Sequence, residues 1–243
     1  MINTQQLIVM MPLFNVELPT NANMFFKQIM EIAAFDFYDF GDIIHELFKI
    51  LPTDPIDANF DSIGFESQYF MVNIGTMIVF YLIYTLALVL SVSLHRCATK
   101  EHKRVRSCSR GLDRRIYWGT AITLMTETYQ IVTVCVLINM KILNFDTVGM
   151  AVMSAFCIIF LVLSILLPVF FLCKVGLNFE EIQEKRYRLT NAPPGSVHQK
   201  YNSMYTELNL NRGKFVLIQP SFFLLRRYLL ALAVVVMDKN LIW

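Results

Sequence analysis

A chain of 243 residues that is 56% apolar, 13% aromatic and only 16% charged, with mean hydropathy +0.50, carries apolar runs longer than a soluble domain of this size needs. Its net charge of +2 hides an asymmetry: residues 1–69 hold ten acidic side chains against Lys27 and Lys49, a net of −8, so the remainder carries +10. Opposite signs at the two ends point to different compartments, and an odd set of five cysteines without paired spacing argues against a disulfide framework.

Residues 1–69 read as an acidic extracytoplasmic juxtamembrane region. The first 23 residues, broken by Pro12 and Pro19, are expected to be the least defined, and they lack the charged start of a signal peptide. From Met24 the apolar residues fall near helical spacing: Phe25, Ile29, Ile32 and Ala33, then Ile43, Ile44, Leu47, Phe48 and Leu51. This predicts two short amphipathic helices within 24–51, too interrupted by Gly41 and Pro52 to span a membrane, and suited to its surface or to an ectodomain. The acidic, turn-rich stretch 52–69 predicts a flexible linker.

Residues 71–94 contain no charge. As a helix they would be about 36 Å long, enough to cross a hydrocarbon core of about 30 Å. A basic loop, 95–115, follows at once with Arg96, Lys100, Lys103, Arg104, Arg106, Arg110, Arg114 and Arg115 against Glu101 and Asp113. Short loops rich in Lys and Arg stay cytoplasmic, which sets the N-terminus outside. The eight cations are candidates for anionic lipid headgroups. Nucleic acid is not an expected partner of a loop held at both ends by spans.

The second predicted span, 116–138, begins with Tyr117 and Trp118 at its cytoplasmic edge. Within it Thr120, Thr123, Glu127 and Gln130 are spaced by 3, 4 and 3 and share one helical face. A carboxylate near the bilayer midplane requires that face to point into the protein. After a nearly neutral turn comes the third span, 148–173, where Pro168 predicts a kink and Ala151–Ala155 a small-residue step for a neighbouring helix. The second cytoplasmic loop, 174–214, has seven Lys/Arg and predicts a helix that opens on an Asn178–Glu181 capping box.

The last span, within 215–243, carries Arg226 and Arg227 in its middle if it starts at Phe215, or nearer the cytoplasm if it starts at Pro220, the preferred start. Glu127 is expected to pair with one of the two arginines. The apolar finish at Asn240–Leu241–Ile242–Trp243 suggests a fragment of a longer chain. The fold class that follows is all-α: a polytopic helical membrane protein of about four transmembrane helices with an N-terminal amphipathic helical region.

Three stretches together resemble a family: NFDSIGFESQYFMVNIGTMIVFYLIY, IYWGTAITLMTETYQI and PSFFLLRRYLLALAVVVM. They are similar to the C-terminal membrane module of large ciliate surface proteins, whose ectodomains are cadherin-like or cysteine-rich. The resemblance covers roughly residues 24–243 and implies topology more than activity. In that family further spans follow the arginine-bearing one, loosely as in polycystin or TRP channels. Further transmembrane helices, of a longer chain or of an oligomer, are therefore expected partners. Glu127, Arg226 and Arg227 match recurring features of the pattern.

Two functional classes remain. The first is a non-enzymatic module that anchors a plasma-membrane surface protein and serves signalling. The second is a channel- or transporter-like module with Glu127 on a polar path. His45, His95, His102 and His198 are scattered, and the chain has neither a phosphate-binding glycine loop nor H-E-x-x-H nor G-x-S-x-G. No catalytic residue, metal site or cofactor is expected.

Overall fold

The computed structural model describes residues 19–22, 24–26, 28, 41–48, 55, 60, 61, 65, 67–97, 119–177 and 214–236. Among these there is no strand. The helices are α1 (Gly41–Phe48), α2 (Phe70–Asn73), α3 (Gly75–Cys97), α4 (Ala121–Asn139), α5 (Val148–Gly176) and α6 (Gln219–Val236). Short 3-10 turns, Met140–Ile142 and Lys214–Ile218, follow α4 and precede α6.

Three helices are long and apolar enough to cross a membrane: Ala121–Ile142, Val148–Lys174 and Gln219–Val236. The described residues are all-helical and polytopic: three candidate spans, with a fourth, shorter apolar helix where the sequence predicts the first span. α3 is 23 residues long, but its apolar portion, Met77–Ser93, covers only about 26 Å.

The expected single helix from residue 71 is also split, and the cause is Asn73. Its Nδ2 donates to the Ser67 carbonyl at 2.5 Å, and its Oδ1 accepts the Ser67 N–H at 3.3 Å. The side chain thus closes the chain back on itself instead of facing outward from a helix. Ile74 leaves helical geometry at φ −109°, ψ 14°, and α3 starts afresh at Gly75.

The turn between α4 and α5 is specified by short polar side chains. Asn144 Oδ1 accepts the Asp146 N–H at 2.9 Å. Ser154 Oγ accepts the Asn144 N–H at 3.2 Å and donates to the Asn144 carbonyl at 2.8 Å. Thr147 caps α5, its hydroxyl accepting the Met150 N–H at 3.3 Å. Every one of these bonds is local, so the hairpin is held by its own sequence.

The chain forms two compact units. The first draws on Met1–Val79, Glu127–Leu166 and Leu225–Trp243. Its core joins Phe70, Ile74 and Met77 to Ile131, Val134 and Ile138 of α4, Cys157 of α5, and Ala231 and Val234 of α6. Phe60 and Phe65 are buried in the same core, with rings 6.0 Å apart in an edge-to-face arrangement. Within the stretch expected to be a flexible linker, these two aromatic side chains are therefore buried against the spans, while residues 52–54, 56–59, 62–64 and 66 lie outside the described residues. Ile44 and Phe48 of α1 pack with Tyr69, Val72, Met150 and Met153. α1 answers to the second predicted amphipathic helix. Residues 20–22, 24–26 and 28 are helical too, with Met24 and Phe25 exposed.

Gly149 explains how α1 comes so close. A Cβ at that position would overlap the Phe48 carbonyl oxygen. The C-terminal carbonyl end of α1 therefore rests on the first turn of α5, where the helix dipole is positive. The second unit comprises Phe80–Thr126 and Leu167–Leu224. Ser91, Ile122, Phe171 and Leu224 are buried in it.

Candidate functional site

The polar face of α4 changes character along its length. Thr120 and Thr123 are exposed, against the expectation that the whole face turns inward. Their hydroxyl-bearing side chains are small, so exposure there costs little; Glu127 and Gln130 behave differently. Glu127 is half-buried with its Oε2 inaccessible, and Gln130 is completely buried with its Oε1 inaccessible. Thr128 and Thr133 are buried beside them. The Thr133 hydroxyl donates to the Tyr129 carbonyl at 2.7 Å, and the Thr126 hydroxyl donates to the Ile122 and Thr123 carbonyls at 2.8 and 2.9 Å. These hydroxyls are satisfied by their own helix and need no water.

Two consecutive arginines of α6 meet opposite fates. Successive residues of a helix lie about 100° apart, so Arg226 and Arg227 cannot share a face. Arg227 is wholly buried and heads the large buried side chains of the described residues, whereas Arg226 is exposed. The charge of Glu127 acts on the Arg227 guanidinium, as does the Tyr129 phenol. Of the two arginines expected as partners for Glu127, Arg227 is the one that lies within its field. A buried cation persists only when opposite charge and hydrogen-bond acceptors surround it.

Tyr129 supplies a further link that the sequence reading did not single out. Its hydroxyl donates to the Ser164 carbonyl of α5 at 2.8 Å. Pro168 lies inside α5 and has no N–H, so the carbonyl four residues earlier, that of Ser164, loses its intrahelical donor. In a bilayer an orphaned carbonyl has no water to turn to. Tyr129 fills the vacancy from the neighbouring helix. The Ser164 hydroxyl donates to Leu161 at 2.8 Å, which keeps that side chain satisfied as well. The proline four residues downstream is the one sequence signal that marks Ser164; nothing marks its donor, 35 residues away.

The α4–α5 contact continues towards the turn between these helices through Cys157, whose thiol donates to the Val136 carbonyl at 3.4 Å. Met153, Ser154, Cys157 and Ser164 are the buried residues on this part of α5. The predicted small step at Ala151–Ala155 is not the buried face, since Ala151 is half-buried and Ala155 exposed. The seam is set instead by residues that combine small volume with a hydrogen-bonding group.

Of the eight cations proposed for lipid headgroups, Arg96 lies in the last turn of α3. The remaining seven, from Lys100 to Arg115, lie outside the described residues, as does the predicted helix after Asn178. Among the described residues no three His, Cys, Asp or Glu side chains converge on a point where a metal could bind. The site is thus a polar cluster of the half-buried Glu127 with the buried Tyr129, Gln130, Ser164 and Arg227. No family model, curated protein or solved structure matches this chain.

Proposed function

We propose that this chain is the non-enzymatic, membrane-embedded module that anchors a surface protein of the plasma membrane and takes part in its signalling, with the N-terminal region outside and both basic loops in the cytoplasm. The observation that carries the reading is Arg227, wholly buried in the field of Glu127. Opposite charges held on α4 and α6 act as a lock between spans. A conducting path would need polar groups to continue along the helix, yet between Gln130 and the buried Asn139 at its end the buried residues Ile131, Val134, Cys135, Val136 and Ile138 dominate, and the Thr133 hydroxyl turns back on its own backbone. The topology rests on the Lys/Arg excess of the loops. The likeness to ciliate surface proteins rests on the three sequence stretches that resemble them.

Topology and transport can be tested together. An impermeant thiol reagent applied to intact cells should leave Cys97 and Cys108 unlabelled, and labelling of either would reverse the orientation. Liposomes carrying the chain should leak protons and potassium no faster than empty ones. A flux that falls when Glu127 is replaced by Gln would overturn the anchoring role and favour a channel-like one.

A further inference from the structure

Arg226 is the eighth of the 18 residues of α6 and is exposed. Its neighbours on that face are apolar and exposed too: Leu225, Leu229 and Val236. Such a stripe is ordinary for lipid contact except for the guanidinium in it, and ionisable side chains inside spans almost always face protein or water. Among the described residues Arg226 has neither a hydrogen-bond partner nor an ion-pair partner. Glu127 is the only carboxylate in the spanning helices, and its field is used on Arg227.

Escape along the helix is a poor alternative. A helical side chain leans towards the N-terminus, here towards Gln219, about 10 Å away along the axis. Beyond that end the turn Lys214–Ile218 continues with apolar residues, and Phe215 to Leu225 contains no charge. The guanidinium therefore has an apolar surface ahead of it for longer than its own reach.

We infer that the Leu225–Arg226–Leu229–Val236 face of α6 is a docking surface for a transmembrane helix that carries a carboxylate at the depth of Arg226. The leucines and valine give the close contact that holds helices together in lipid, and the guanidinium fork takes a carboxylate through two parallel hydrogen bonds. The inference rests on the membrane-embedded reading above.

The test uses the full chain in phosphatidylcholine liposomes, first washed in alkaline carbonate. Loss of the chain in the wash defeats the membrane reading itself. With the chain retained, labelled polyleucine transmembrane peptides are added that bear a single central Glu, Gln or Leu, and association is followed by energy transfer. The Glu peptide should associate at least tenfold more tightly than the Leu peptide. Arg226→Gln should abolish that preference, and Arg226→Lys should keep part of it. Equal association of the Glu and Leu peptides, or a Glu preference that survives Arg226→Gln, overturns the docking surface. A guanidinium held by lipid headgroups would give the first of these results, with anionic lipid enriched around the chain.

Discussion

α4 and α5 are neighbours in sequence and differ most in how they use the same environment. α4 bears a carboxylate, two amides and several hydroxyls, and 56% of its most apolar stretch is buried inside the protein. α5 is the most apolar of the three candidate spans, and only 22% of its most apolar stretch is buried. In a water-soluble protein the order would be reversed, because apolar burial drives folding there. In lipid the greasiest helix gains nothing by hiding, whereas polar groups lose heavily if exposed. The polar helix therefore takes the centre, and Ile159, Leu163, Leu166 and Val169 of α5 face outward.

The largest test of that contrast is at the centre. Arg227→Ala leaves Glu127 without the opposite charge that acts on it, and should cost about 3–5 kcal/mol. A depressed melting temperature in detergent, or loss of monodisperse protein, would report it. The double change Glu127→Gln with Arg227→Gln should recover most of the loss. If Arg227→Ala melts with the wild type, the inward placement of polar groups is not what holds α4 and α6 together.

Next comes the close approach of α1 to the first turn of α5 at Gly149. Gly149→Val drives side-chain atoms into the Phe48 carbonyl and should cost about 2–3 kcal/mol through overpacking. Amide exchange of Gly41–Phe48 should accelerate, while that of α4 should hardly change. Unaltered exchange in α1 would show that α1 does not depend on this seat.

Tyr129→Phe should cost about 1–2 kcal/mol, the effect of leaving the buried Ser164 carbonyl unsatisfied. The loss should shrink in a Pro168→Ala background, where residue 168 regains an N–H for that carbonyl. Equal losses in both backgrounds would mean that Tyr129 stabilises by packing alone. The smallest effect is expected on the outer face of α5. Leu163→Ala should shift stability by no more than about 0.5 kcal/mol. A lipid-soluble photoreagent should label α5 far more heavily than α4, and equal labelling would erase the comparison.

The sequence carried the spans because an unbroken apolar run has few other uses, and it carried Glu127 because a charge inside such a run stands out. It could not choose between Arg226 and Arg227. The two are adjacent in the chain, and only packing decides which direction faces inward. Phe60 and Phe65 were hidden for a related reason: two aromatics among turn formers make no periodic pattern. The start of α3 was misread because hydropathy scores Asn73 as one mild interruption, while its amide redirects the backbone through Ser67. The α4–α5 seam escaped because Ala-xxx-Ala is a pattern of size, and the contact is made by Tyr129, Cys157 and Ser164 through hydrogen bonds as well.

Glu127 and Arg227 stand one hundred residues apart in the chain. A ribosome adding about 5–20 residues per second delivers the carboxylate about 5–20 s before the guanidinium exists. Throughout that interval α4 must be kept by the insertion machinery or by its hairpin partner α5, whose clasp at Asn144 and Ser154 is complete long before α6 is made. The hairpin has to be a stable waiting state in its own right. Slowing translation between Gly176 and Gln219 should lengthen the wait and raise the fraction of chains degraded at the membrane, and Glu127→Gln should relieve that sensitivity.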